Sequence, residues 1–206
     1  MKIIDLSQKI YDKMPIHPYD EEVIVAKNRT IENDKYSNTQ QGIGMHSGTH
    51  IDAPCHLIEN GKNIAEYELS KFIGRGCVIN VFGQSEITLK EEYKNKIEKS
   101  EIVLLYTSYG DFFNDEKYYH DDAPNLSNEF AEYLGKSNIK MVGMDLSSPD
   151  KYPFDIHKIL LENDILIIEN LTNLDKLLGI DEFTVYALPL NINAEASVAR
   201  VVAIIE

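Results

Sequence analysis

The most restrictive feature of this sequence is a near-continuous apolar run, I-V-L-L-Y-T, at residues 102–107. A strand with apolar side chains on both faces must be covered on both sides, as at the centre of an α/β sheet. Two further apolar runs, at residues 77–82 and 139–144, predict neighbouring core strands. The chain therefore requires a sheet with packing layers on both of its faces.

The remaining patterns predict strands and helices that alternate along the chain. Ser127 and Gly135 are the expected start and stop signals of one helix, and Ser85 or Thr88 is the expected cap of another. No repeat, linker or low-complexity segment divides the chain. We therefore predict one α/β domain over residues 1–206, a mixed β-sheet with flanking helices. The other predicted strands are 2–6, 22–27, 165–168, 183–190 and 198–205, and the predicted helices are 88–99, 127–134 and 155–162, with a helical turn at 174–178.

Composition excludes several classes of partner. The 206 residues suffice for one substantial core, and the net charge of -14 argues against binding to nucleic acid. No apolar run is long enough to cross a bilayer, and the first ten residues are too polar for a signal peptide. The two cysteines, Cys55 and Cys77, do not make a disulfide framework. We expect a cytoplasmic protein with no membrane partner.

Four candidate metal ligands fall within residues 45–56, M-H-S-G-T-H-I-D-A-P-C-H. Zinc, manganese and iron all accept imidazole and carboxylate ligands. Gly48 and a following proline disfavour a helix, so we predict a strand end that runs into a turn. In a strand, His50 and Asp52 point to the same side, because side chains alternate. A polar turn with surface histidines is the alternative, and we favour a metal site. The four residues are His46, His50, Asp52 and His56.

This stretch resembles the H-x-G-T-H-x-D-x-P-x-H signature of the cyclase family of metal-dependent hydrolases. That family includes bacterial kynurenine formamidases and isatin hydrolases. The resemblance runs from Asp5 to the C-terminus and implies the swivelling β/β/α type of fold. A second family pattern, D-x-x-S-x-D…H…E-N, is matched by Asp145, Ser148, Asp150, His157, Glu169 and Asn170.

The resemblance also implies a site for two divalent ions, zinc or manganese. His46, His50 and Asp52 would hold the first ion, and Asp52 would bridge to a second ion. His157 and Glu169 would hold that second ion, and His56 would be the general acid/base. Considered without the resemblance, His157 near a helix start and Glu169 at a strand end are more often structural. A one-metal variant, as in isatin hydrolases, would leave both of them structural.

These residues predict a metal-dependent hydrolase that acts on carbon–nitrogen bonds. Metal-activated water would cleave an amide, lactam or lactone of a small molecule, in the manner of an arylformamidase. A catalytically inactive protein that binds metal and a small molecule is the alternative. Cys55 occupies a variable position of the signature, so we interpret it as structural rather than as a soft ligand.

The expected substrate loop departs from the family. Residues 14–20 resemble the M-P-x-W-P-G-D loop of kynurenine formamidases. This chain has His17 in place of the tryptophan of that loop and Tyr19 in place of its glycine. We predict that both line the pocket, although His17 is also explained as a surface residue. The C-terminal G-S-P-x-R pattern keeps Ser197 and Arg200 but loses its glycine and proline. The resemblance implies a homodimer or homotetramer. Residues 108–124 form an aromatic loop, with Tyr109, Phe112, Phe113, Tyr118, Tyr119 and His120, that is predicted either to line the site or to pack onto the body.

Overall fold

The structure, a computed structural model, describes residues 1–119 and 123–206, so His120 lies outside the described residues. The strands are β1 (Lys2–Asp5), β2 (Ile24–Arg29), β3 (Asn38–Gly42), β4 (His50–Asp52), β5 (Ile73–Asn80), β6 (Glu86–Ile87), β7 (Ile102–Tyr106), β8 (Asn125–Leu126), β9 (Met141–Met144), β10 (Leu166–Glu169), β11 (Thr184–Pro189) and β12 (Ala196–Ile205). The α-helices are α1 (Ile31–Asp34), α2 (Glu91–Glu98), α3 (Asn128–Lys136) and α4 (Asp155–Glu162).

The main sheet has eight strands in the order β1-β12-β11-β5-β7-β9-β10-β4. Strands β5, β7, β9 and β10 are parallel, and the other pairs are antiparallel. β4 also pairs with the first residues of β12, whereas β1 pairs with the last residues of β12. The sheet therefore closes into a barrel whose seam is the short strand β4. This is the mixed α/β sheet with flanking helices that the sequence predicts.

The central strand β7 is covered on both faces, as its apolar run predicts. Val103 and Leu105 pack with residues of α2, α3 and α4 on the outer face of the sheet. Ile102 and Leu104 pack on the other face with residues of β11 and β12, which lie across the barrel. All four side chains are fully buried, so helices cover one face of this strand and the opposite strands cover the other.

Two helix boundaries differ from the prediction. Lys90, rather than Ser85 or Thr88, is the N-cap of α2, because the chain just before it is still extended in β6, which pairs with β8. The helix that Ser127 caps continues through Gly135 to Lys136. Gly135 therefore does not end the helix. A Cβ atom there would lie 3.0 Å from Asn163 Nδ2, so a larger residue would require the Asn163 side chain to shift.

Residues 38–42, which no predicted strand covers, form β3 and complete a β-hairpin with the predicted strand β2. β2 and β3 pair antiparallel, and nearly all of their side chains are exposed. The hairpin has no buried face, which is why apolar periodicity did not reveal β3. Across the described ranges, 1–119 and 123–206, no helix combines the length and the hydropathy that crossing a membrane requires.

Candidate metal centre

The histidine-rich stretch folds as a turn, a short strand and a second turn. His46 lies in the first turn, where Gly48 has a positive φ of 65°. His50 and Asp52 begin and end β4, and both are 1% exposed. A 3₁₀ turn, Pro54–His56, then brings His56 back towards His46. The stretch is a strand end between turns rather than a helix, as predicted.

Two other elements bring the remaining predicted ligands to the same place. β10 pairs antiparallel with β4 in a register that sets Glu169 opposite His50. The helix α4 carries His157, whose imidazole lies 3.3 Å from a carboxylate oxygen of Glu169. His157 and Glu169 are both buried. Residues distant in the sequence therefore form one compact group of imidazoles and carboxylates.

Each carboxylate presents its two oxygens to different histidines. Asp52 Oδ1 lies 3.0 Å from His46 Nδ1 and 3.4 Å from His50 Nε2. Asp52 Oδ2 instead faces His157 Nε2, at 3.8 Å. Glu169 divides in the same way, with Oε2 3.3 Å from His50 Nε2 and Oε1 3.3 Å from His157 Nε2. The group therefore has two halves, which share Asp52 and Glu169.

A metal ion would satisfy the buried polar atoms of this group better than the residues satisfy one another by hydrogen bonds. Asp52 Oδ1, Glu169 Oε1 and His50 Nε2 are buried and have no hydrogen-bond partner among the described residues. An unsatisfied buried polar group costs about 1–3 kcal/mol. Ligand atoms around a tetrahedral ion with bonds of about 2.0–2.1 Å lie roughly 3.3 Å apart, close to the spacing seen here. Two sets of described residues have ligand atoms within 4.8 Å of one another, His46, Asp52 and His56, and His50, Asp52 and Glu169. His157 Nε2 adds a further nitrogen 3.3 Å from Glu169 Oε1, so these residues could hold a metal ion.

Hydrogen bonds behind the centre orient two of the imidazoles. His50 Nδ1 donates to the Gly48 carbonyl at 2.8 Å, and the Asn170 side-chain amide donates to the same oxygen at 2.9 Å. His157 Nδ1 donates to Asp150, whose other oxygen accepts from the backbone of Ile156. Both histidines consequently turn Nε2 towards the carboxylates, as metal-binding histidines do when their second nitrogen is bound by a neighbour.

The carboxylates determine the protonation of the metal-free centre. Burial lowers the pKa of His50, but Asp52 and Glu169 outweigh it and raise that pKa to about 9. Burial also opposes protonation of His157, yet Asp150 and Glu169 raise its pKa to about 10. For Asp52, burial raises the pKa, and the adjacent imidazoles override this and hold it well below its usual range. An ion would therefore displace protons from the imidazoles that it binds.

His56 lies beside the centre. Its ring centroid is 4.4 Å from that of His46 and 6.1 Å from that of His157. Burial lowers the pKa of His56 and, together with the neighbouring imidazoles of His46 and His157, outweighs the opposite effect of Asp52 and Glu169. A neutral imidazole at this place suits the predicted role of general acid/base, which stays a prediction. Cys55, next in the chain, donates through Sγ to Asn63 Oδ1 at 3.1 Å, as a structural cysteine would.

The predicted substrate residues lie in a surface loop. The His17 ring is 5.4 Å from the Tyr19 ring and 6.1 Å from the Tyr119 ring, and Tyr19 is 93% exposed. A cavity of about 410 Å³ lies between this loop and the aromatic loop, bordered by Pro15, Ile16 and Tyr119. Of the aromatic loop, Phe113 and Tyr118 are buried and pack onto the body. The substrate role of His17 and Tyr19 stays a prediction.

Sequence reasoning missed two features of the centre. Glu169 was expected to serve one ion, but its two oxygens face both halves of the group. Glu195 was not expected at all, although its Oε1 lies 3.6 Å from His46 Nε2. Glu195 stands in a polar segment, N-I-N-A-E, that matches no ligand pattern, so only the strand pairing reveals it.

Comparison with known proteins agrees with this geometry. The Cyclase family model matches residues 4–151. The chain belongs to the cyclase family. Kynurenine formamidase of Bacillus cytotoxicus is 32% identical over 207 residues, which cover 97% of this chain and 95% of the relative. These matches confirm the predicted resemblance. They also confirm the prediction of an enzyme, a hydrolase of the cyclase family.

Solved structures support the cyclase-family fold. A structure described as a potential metal-dependent hydrolase with cyclase activity superimposes with a TM-score of 0.77 at 26% identity, covering 98% of this chain and 96% of the other. An isatin hydrolase bound to the product analogue thioisatinate gives a TM-score of 0.85 at 22% identity, covering 99% and 92%. At that identity, the second likeness shows the fold alone. The predicted fold class is confirmed.

Proposed function

We propose that this cyclase-family chain hydrolyses an amide, lactam or lactone bond of a small molecule and binds two divalent ions, zinc or manganese, per chain. The observation that carries the proposal is the buried pair of carboxylates, Asp52 and Glu169, each facing histidines on two sides. Two buried carboxylates with unsatisfied oxygens are costly unless a cation neutralises them. The curated relative named kynurenine formamidase, which spans nearly the whole chain, supports the same reaction class.

The side chains divide the chemical work. When bound, divalent ions would acidify a water molecule and polarise the carbonyl of the substrate. Asp52 and Glu169 hold the two halves of the centre together. His56, with its lowered pKa, is neutral at neutral pH and can take a proton on an imidazole nitrogen. It then returns that proton to the leaving nitrogen or oxygen, which is the ordinary role of a general acid/base.

An aryl formamide, for which formylkynurenine is one candidate, is the substrate that we propose to test first. Tyr119 lines the 410 Å³ cavity, a volume within the range of small-molecule sites. The His17 ring lies 6.1 Å from the Tyr119 ring and 5.4 Å from the Tyr19 ring, although neither His17 nor Tyr19 lines the cavity itself. Aromatic rings favour a flat apolar group on the substrate. Because His17 and Tyr19 replace the tryptophan and glycine of the formamidase loop, cyclic amides and lactones belong in the same screen.

Metal content and turnover together test this function. The protein is purified without chelators or a polyhistidine tag, and zinc, manganese and iron are counted per chain by elemental mass spectrometry. We expect about two ions per chain and hydrolysis of at least one formamide, lactam or lactone. One ion would favour the one-metal variant and leave His157 and Glu169 structural. No ion after reloading with zinc or manganese would contradict a metal-dependent hydrolase.

We further propose that the chain assembles as a homodimer or homotetramer. The hairpin of β2 and β3 exposes apolar side chains, with Ile24, Ile31 and Tyr36 more than half exposed. Such side chains are better buried against a second copy than left in water. Light scattering on the purified protein should give a mass of two or four chains, and Ile31→Asp should shift that mass towards one chain. A monomeric wild-type protein would contradict the proposal.

A further inference from the structure

Glu195 occupies a distinctive place beside the centre. It immediately precedes β12, and its backbone carbonyl accepts a hydrogen bond from Ala53 N at 2.9 Å. In the adjacent pair of the same ladder, Ala196 lies opposite Asp52. Glu195 is therefore fixed to the strand that carries Asp52, while its side chain remains 44% exposed. Its carboxylate stands at the rim of the buried group.

The His46 ring lies between two carboxylates. Its Nδ1 is 3.0 Å from Asp52 Oδ1, on the inner side, and its Nε2 is 3.6 Å from Glu195 Oε1, on the outer side. Nδ1 is thus the nitrogen that faces the shared carboxylate oxygen. If Nδ1 binds an ion, Nε2 keeps its proton, because a neutral imidazole has one donor and one acceptor.

The other two histidines show what this outer nitrogen requires. His50 and His157 each point one nitrogen inward and donate the other to a fixed acceptor, the Gly48 carbonyl and Asp150 respectively. An acceptor behind a metal-binding histidine fixes the ring and makes it a better ligand. In His46 the two nitrogens have exchanged places, because Nδ1 points inward and Nε2 points outward. Glu195 stands where the acceptor for the outward nitrogen is expected.

We propose that Glu195 accepts the Nε2 proton of His46 and so directs His46 Nδ1 at an ion. Glu195 is a positioning residue, and this role rests on the metal centre of the proposed function. The distance of 3.6 Å is that of an ion pair, and the exposed side chain has room to approach the ring. Glu195 therefore sets the affinity of the half of the centre that contains His46.

Metal titration of the metal-free protein tests the proposal without an activity assay. Wild-type protein, Glu195→Ala, Glu195→Gln and Glu195→Asp compete with a chromophoric chelator for zinc. We expect Glu195→Ala to weaken one ion by about 10- to 100-fold and to leave the other at the wild-type affinity. Glu195→Gln keeps a neutral acceptor, so its affinity for that ion should lie between those of the wild type and Glu195→Ala. Glu195→Asp should recover part of the lost affinity. Glu182→Gln, an exposed charge-matched change, should bind both ions like the wild type.

Several results would overturn the role of Glu195. The first is an unchanged affinity of Glu195→Ala for both ions, and the second is a loss of affinity in Glu182→Gln as large as that in Glu195→Ala. The third is a Glu195→Ala protein that binds both ions equally more weakly and has a lower melting temperature in its metal-free form. The wild-type arm reports on the proposed function separately. Two bound ions without hydrolysis of any substrate in the screen would reject that function and leave the Glu195 assignment standing. A wild-type protein that binds no zinc or manganese would reject both.

Discussion

Asp52→Asn should remove at least one of the two proposed ions and lower kcat/KM by roughly a thousandfold or more. The carboxylate gives Oδ1 to His46 and His50 and Oδ2 to His157, so it serves both halves of the centre. Asparagine offers one acceptor oxygen and one NH₂ donor, and the donor cannot bind an ion. A catalytic ion supplies several kcal/mol of transition-state stabilisation, and each ~1.4 kcal/mol is tenfold in rate.

Ions counted per chain and kcat/KM on the first substrate found are the measurements for this variant. Asp181→Asn removes an exposed carboxylate, and should keep both ions and full activity. The metal-free variant should also unfold more easily, because removing one partner from a buried ion pair costs about 3–5 kcal/mol. Circular dichroism checks that Asp52→Asn is folded at the assay temperature. Two ions and wild-type turnover in the folded variant would show that Asp52 does not bridge the halves.

His56→Ala should lower kcat/KM by about 10²- to 10⁴-fold and keep both ions. This loss is the usual contribution of a positioned general acid/base. The His56 ring stands beside His46 and His157, and its lowered pKa keeps it neutral and able to accept a proton. On the proposed assignment, the change removes the proton carrier and leaves the proposed metal ligands in place. This result would separate an enzyme from an inactive metal-bearing binding protein, which has no turnover to lose.

The same measurement has a second, opposite outcome. His46, Asp52 and His56 offer ligand atoms that all lie within 4.8 Å of one another, an arrangement that can itself hold an ion. If His56→Ala loses one ion, His56 is a ligand and the proton carrier is another group. His56→Gln, which keeps a hydrogen-bonding side chain of similar length, controls for damage to the turn. Unchanged turnover in both variants would exclude His56 from the reaction.

The sequence predicted the core strands of the sheet and one pair of candidate metal ligands, His50 and Asp52. Apolar runs identified β7 and β10 because buried strands leave a local pattern that does not depend on their partners. His50 and Asp52 were placed on one side of a strand for the same kind of reason, since alternation is a property of the strand alone. His157 and Glu169 were assigned only through the family resemblance, because their spacing from β4 depends on how distant strands pair.

The features that the sequence did not predict depend on pairing between distant segments. β3 is polar on both faces, and only its pairing with β2 makes it a strand. The closure of the sheet through β4 and β12 has no local signal, since it joins two segments far apart in the chain. Glu195 is placed by that closure, beside Ala53 and opposite the outer nitrogen of His46. A glutamate in a polar loop has no periodicity that could have indicated this.

The seam strand also sets an order of events during folding. β4 is three residues long, and both strands that hold it, β10 and β12, lie far downstream in the sequence. Contacts between distant segments form late, because the entropy of closing long loops must be lost first. We therefore expect His50 and Asp52 to meet Glu169 only after most of the chain has been synthesised and folded. The protein would then bind metal only when the barrel is nearly complete. Metal binding would stabilise the pairing of β4 with β10 and β12 and would not initiate folding.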